Sequence, residues 1–269
     1  MIKLKSAATL SALFLLVGFS SNADELAEKG RKVLENEKNV VITVEMVINQ
    51  KFSFSGMPSD ESEMKIETTG TVIGEDGLTV VSLTETDPSA LIENMMGGMG
   101  GADFKFDSEI EEITMVLADN TELDAEVILR DKDLDMAFLR PIEKPATKMH
   151  HVNLASAVEI EHLEPVFTIS RLGKVARRAH AIEIKRVQAI VEKPRRFYIT
   201  EAGSIGGVGG PAFTQAGDFI GVYFLRSIKS TGSGMGGMLG GADDNIAVML
   251  LPAVDIQEAA SQAPPAASE

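Results

Sequence analysis

Apolar and polar positions alternate in short runs along most of the chain. A first set is NVVITVEMVI (39–48), MKIETTGTVI (64–73), LTVVSLT (78–84), EIEEITMVL (109–117), ELDAEVILR (122–130) and DMAFLR (135–140). A second set is EPVFTIS (164–170), the long basic stretch AHAIEIKRVQAIVEK (179–193), which reads as a pair of strands, RFYIT (196–200), DFIGVYFLR (218–226) and NIAVMLL (245–251). Short strands set off by Gly, Asp and Asn turns, with almost no helix between them, predict an all-β barrel or sandwich. About twelve runs, divided near PIEKPATKMH (141–150), predict two six-stranded antiparallel β-barrels. The first is expected over 39–142. The second, with a short C-terminal helix from residue 252, is expected over 143–260. The charged segment DELAEKGRKVLENEK (24–38) is helix-prone, with Leu26, Val33 and Leu34 as its apolar positions. SQAPPAASE (261–269) has the composition of a disordered tail.

Composition narrows this only a little. The 269 residues are 44% hydrophobic with no tryptophan and 5% aromatic, so the core rests on aliphatic side chains and methionine. Residues 1–23 read as a secretory signal peptide: Lys3 and Lys5 begin it, an uncharged apolar run follows, and Ser21-Asn22-Ala23 supplies small residues for cleavage. The run is shorter than the ~20 apolar residues of a spanning helix, and no second run of spanning length follows. Removing Lys3 and Lys5 from the 25 Lys+Arg leaves 23 against 40 Asp+Glu, a net charge of −17. Such a surface disfavours nucleic acid and anionic lipid. The absence of cysteine means an exported chain that folds without disulfides, which fits the bacterial periplasm.

Four segments, taken in order, resemble the HtrA/Deg-type trypsin-like serine proteases. They are GTVIGEDGLTVVSLTET (70–86), ITMVLADNTELDAEVILRDKDLDMAFLR (113–140), GGVGGPAFTQAGDFIGV (206–222) and NIAVMLLPAVDIQEA (245–259). The resemblance covers residues 39–260, with no PDZ domain expected after it. It implies two perpendicular six-stranded barrels with the active site between them, in agreement with the strand count.

Serine proteolysis needs a serine nucleophile, a histidine base and a buried aspartate that orients the histidine. The resemblance puts the aspartate position on Asp135, the histidine position on Thr84 and the serine position on Val208. Thr84 has no pKa suited to general-base work, and Val208 has no nucleophilic atom. Loss of either group alone costs on the order of 10⁶ in kcat. The expected function is therefore non-catalytic binding of peptide or of an exported protein. The alternative is an active serine endopeptidase with another catalytic set, Ser204 being the first suspect. The resemblance also implies an oxyanion hole from the backbone N–H groups of Gly206 and Val208, which a side-chain change leaves in place. Asp135 needs a partner if buried, and Thr84 is the natural hydroxyl donor.

Other signals point to surfaces. Residues 171–196 carry nine Lys/Arg against Glu183 and Glu192. They suit acidic peptide, or the protein's own acidic surface as in a homo-oligomer, or simply a solvated hairpin face. Met95, Met96, Met99, Met235 and Met238 lie in two Gly-rich loops, which suit contact with a partner or client. They lack the dense array expected of a Cu(I) site. His150, His151, His162 and His180 show no zinc spacing, and neither a metal nor a cofactor is expected.

Overall fold

The computed structural model describes residues 22–54, 60–87, 104–156, 158–201, 207–227 and 246–266. A helix, α1 (Asn22–Glu37), leads through a 3-10 turn (Lys38–Val40) into the first barrel. Its strands are β1 (Val41–Phe54), β2 (Asp60–Val72), β3 (Thr79–Ser82), β4 (Phe104–Val116), β5 (Glu122–Asp131) and β6 (Met136–Pro141). A helical turn, α2 (Leu83–Thr86), follows β3. The second barrel holds β7 (Pro165–Arg171), β8 (His180–Val191), β9 (Phe197–Thr200), β10 (Pro211–Phe213), β11 (Phe219–Ser227) and β12 (Ile246–Pro252). Helix α3 (Ala253–Ala260) follows directly.

Both sheets close. The strand orders are β1-β2-β3-β6-β5-β4 and β10-β11-β12-β9-β8-β7, with every pairing antiparallel. Closure removes the exposed edges that an open sheet would present. Three details differ from the sequence reading. Within 179–193 there is one strand, β8, which keeps pairing through a bulge near Val187–Ala189 instead of turning back. The twelfth strand is instead Pro211–Phe213, only three residues long. Strand β3 also ends at Ser82, so Thr84 belongs to the helical turn.

Alternation explains the cores. In β1, Ile42, Val44, Met46 and Ile48 are all buried and fill the first barrel with Val72, Val81, Met115 and Leu139. These side chains share one face because strand side chains alternate. Ile160, Val166, Val187, Tyr198 and Leu250 fill the second barrel. A third cluster joins the barrels: Val41, Val80, Met136 and Phe138 of the first meet Phe167, Phe213, Val222 and Phe224 of the second. Val33 of α1 and Ile256 of α3 pack into the same cluster. Burying such side chains is worth about 1.5–3 kcal/mol each, so the two barrels are held as one body by a shared apolar layer.

The basic stretch ties the barrels together at the periphery. Arg171 Nη1 donates to the carbonyls of Val116 (2.7 Å) and Leu117 (3.0 Å) at the end of β4. Arg178 and Lys174, in the β7–β8 connection, pair with Glu45 and Glu67 on β1 and β2. Arg195 pairs with Asp255 and Glu258 of α3, and Arg196 with Glu159 and Glu192. Much of this basic charge therefore meets the domain's own acids. After α3, within the segment expected to be disordered, the carbonyl of Pro264 accepts from Arg140 Nη1 at 2.6 Å.

Candidate functional site

The site is built where β3, the β5–β6 turn and β11 converge. In the turn Asp131–Asp135, the Asp131 carboxylate accepts from the amides of Asp133 and Leu134, each at 3.0 Å. This closes a tight bend. Asp135 ends it in the left-handed region (φ 57°), a conformation that short polar side chains tolerate better than most. The bend turns the Asp135 carboxylate away from strand pairing and toward the second barrel.

Four donors meet that carboxylate. Ser82 Oγ donates to Oδ2 at 2.6 Å. The Thr84 amide (2.7 Å) and Thr84 Oγ1 (2.6 Å) both donate to Oδ1. The fourth, the amide of Leu225 on β11, reaches Oδ2 at 3.1 Å from the other barrel. The Leu83 amide bonds the Asp135 carbonyl at 2.8 Å and fixes α2 against the bend. Burial pushes the Asp135 carboxyl above its ordinary range, while the bonds from Ser82, Thr84 and Leu225 pull it back. Four donors on two oxygens suit an ionised, acceptor-only carboxylate.

Glu85, next along α2, was not singled out from the sequence. Its carboxyl is mostly buried and accepts from the Thr68 hydroxyl of β2. Burial, with a smaller push from the Asp135 charge, lifts it to about 7 against the opposing Thr68 bond. Ser82 was likewise missed, although a hydroxyl two residues before Thr84 in LTVVSLT was the available signal.

The turn at Val208 lies on the same seam. The Gly209 amide donates to the Tyr223 carbonyl (2.7 Å), and the Tyr223 amide donates to the Gly210 carbonyl (3.1 Å). Leu225, the Asp135 donor, is two residues farther along β11, roughly 7 Å by the rise of a strand. From the first barrel, Thr71 Oγ1 donates to the Gly209 carbonyl at 2.7 Å. Val208 is 1% exposed. A glycine-rich turn is expected to present its central side chain to a cleft, but here the valine packs inward. An isopropyl group gains by burial and has no polar atom to keep wet.

The histidines lie elsewhere. His150 is 3.6 Å from Glu37, and His151 is hydrogen-bonded to the Met149 carbonyl. His162 is exposed. His180 pairs across β7–β8 with Arg171. None of them is among the four donors that meet Asp135. Gly206, Ser204, Met95, Met96, Met99, Met235 and Met238 lie outside the described residues. Among the described residues, no group of three or more His, Cys, Asp or Glu side chains is placed to hold a metal. No helix among them is long and apolar enough to cross a membrane.

No curated protein matches this chain. A family description does: residues 68–222, from β2 through the Asp135 bend and the Val208 turn into β11, match the trypsin-like peptidase domain. That span exceeds half of the chain and contains the Asp135 bend and the Val208 turn. The chain belongs to the family of trypsin-like peptidase domains.

Proposed function

We propose that this trypsin-like domain is an exported, HtrA-like pseudoprotease that binds peptide or an exported protein without cleaving it. The observation that carries the reading is the saturation of Asp135. Its carboxylate receives Ser82, Thr84 and Leu225, with a threonine hydroxyl where proteolysis needs an imidazole. A hydroxyl at that place satisfies the buried carboxylate but does not move protons near neutral pH. The turn at 207–210 keeps its hydrogen bonds to both barrels, while its central side chain is a buried valine. These bonds support a retained binding framework in which Val208 offers no nucleophile. The signal-like N-terminus, the strongly acidic surface and the lack of cysteine support action in the bacterial periplasm.

The test is hydrolysis of casein by the purified chain from residue 24, beside its Val208→Ala variant. The expected result is no cleavage above buffer in either. Cleavage that persists in the variant places the nucleophile elsewhere and overturns the reading.

A further inference from the structure

We propose that Lys185 and the open backbone at Gly207 form a carboxylate-binding site beside the Val208 turn. The proposal rests on the peptide-binding reading and names the chemistry that the peptide must offer. It starts from a lysine in an unusual place. Lys185 lies on β8 and is 4% exposed, in a strand whose next position, Ile184, is 45% exposed. The usual order of burial is inverted there. Its Nζ stands 4.6 Å from the centroid of the Tyr223 ring.

The ammonium is poorly satisfied. It has three donors, and none makes a hydrogen bond to any described residue. Glu183 Oε2 is its ion partner at 3.6 Å, beyond hydrogen-bonding distance, on a side chain that is 44% exposed. Six of the other eight cations of the stretch behave differently: Arg171, Lys174, Arg178, Arg186, Arg195 and Arg196 all donate to carbonyls or carboxylates, and the remaining two, Arg177 and Lys193, are exposed. Thr168, the cross-strand neighbour of Glu183, turns its buried hydroxyl toward the Tyr223 hydroxyl and not toward Lys185. The Tyr223 hydroxyl is taken up by Thr200 at 3.2 Å. Buried donors without acceptors are costly unless a ligand supplies them.

Gly207 opens the way to the cation. A Cβ built there meets one heavy atom among the described residues within 4 Å, Lys185 Nζ at 3.7 Å. Its backbone is not among the positive-φ glycines. A ligand oxygen entering beside the turn therefore meets an ammonium with free donors. A carboxylate is the matching group, since it pairs the charge and accepts the donors together. It comes from an Asp or Glu side chain of the peptide, or from the C-terminus of the peptide.

The test uses three fluorescein-labelled nonapeptide pools, randomised among uncharged residues. One has a central Glu and an amidated end, one a central Gln and a free end, and one a central Gln and an amidated end. Binding is read by fluorescence anisotropy for the wild-type chain, Lys185→Met and Gly207→Asp. At least one carboxylate pool is expected to bind wild type about tenfold more tightly than the neutral pool. The pool that does so identifies the source of the carboxylate. Both variants are expected to lose that preference. Lys185→Met removes the cation, and Gly207→Asp supplies an internal carboxylate beside it. If Lys185→Met does not fold, Gly207→Asp decides alone. Equal binding of all three pools by wild type overturns this site and leaves the peptide-binding reading standing, as does a preference undiminished in Gly207→Asp. Failure of every pool to bind overturns both.

Discussion

The Leu225 amide crosses from one barrel to the other to reach Asp135 Oδ2 at 3.1 Å. The carboxylate of the first barrel is thereby built into the second, and with Ser82 and Thr84 it receives four hydrogen bonds. In this chain the aspartate is a structural hub of the inter-barrel seam.

Removing that hub should cost stability. Asp135→Ala leaves the donors of Ser82, Thr84 and Leu225 facing no acceptor, and a loss of about 3 kcal/mol is expected. Thr84→Val removes one donor and leaves the other three, so it should cost about 1 kcal/mol. Urea unfolding gives both values. Equal costs for the two variants would mean that Asp135 is not the centre of the network.

Proteolytic chemistry should return only in combination. Val208→Ser alone lacks a base and Thr84→His alone lacks a nucleophile, so neither is expected to cleave casein. The double variant places an imidazole beside the Asp135 carboxylate and a hydroxyl on the turn. It should give hydrolysis that neither single variant shows, because the members of a triad act as a unit. Cleavage by Val208→Ser alone would show that another base already serves the turn.

Glu85 should make stability fall as pH rises. Its folded value of about 7 lies above its ordinary 4.5, so the folded chain holds a proton that the unfolded chain has lost. That contribution is full below pH 4.5 and is lost as pH rises toward 7, roughly 3 kcal/mol in all. His180 works in the opposite sense. Burial, and then the neighbouring Arg171 charge, hold it below 6.5. Its contribution is present above pH 6.5 and is lost as pH falls through the lower folded value. Urea unfolding of wild type and Glu85→Gln at pH 5 and pH 7.5 separates the two. The variant should lose the part of the slope that favours pH 5. Identical slopes would remove Glu85 from the account.

Much of this fold was legible in the alternation of side chains, and the exceptions are instructive. Strand β10 escaped notice because Pro211-Ala212-Phe213 is too short to show a period. Residues 179–193 looked like two strands because they are long, yet they contain no Gly, Asn or Asp to turn on. The positions of Asp135, Thr84 and Val208 came from the order of motifs. Their environment did not, because hydrogen bonds from Ser82 and Leu225 depend on three elements distant in sequence. Lys185 was hidden for a related reason. Between Ile184 and Arg186 it reads as one more exposed cation, and only barrel closure turns it inward.

The two classes of basic contact should separate under mutation. Arg171 is 8% exposed and holds two backbone carbonyls of the other barrel. Arg171→Met leaves both carbonyls unpaired and should cost about 2–3 kcal/mol, with little effect of salt. Arg178 pairs with Glu45 and Glu67 nearer to solvent. Arg178→Met should cost about 1 kcal/mol or less, and the difference from wild type should shrink in 1 M salt. The reverse order of costs in urea unfolding would mean that the barrels are held by charge more than by the Arg171 donors.

Two glycines of one turn should respond oppositely to a methyl group. Gly209 adopts φ +79°, and a Cβ built there would stand 2.0 Å from the Thr69 carbonyl oxygen. Neither partner can yield easily, because Thr69 is fixed in β2 and the neighbouring Thr71 hydroxyl grips the Gly209 carbonyl. Gly209→Ala should therefore lose about 3 kcal/mol or more, through backbone strain and overpacking together. A Cβ built at Gly207 meets, among the described residues, only Lys185 Nζ, at the ordinary separation of 3.7 Å. Gly207→Ala should stay within about 0.5 kcal/mol of wild type. Urea midpoints of the two variants decide the matter. A large loss at Gly207 would mean that the space beside Lys185 is not open, and a small loss at Gly209 would mean that β2 does not clamp the turn.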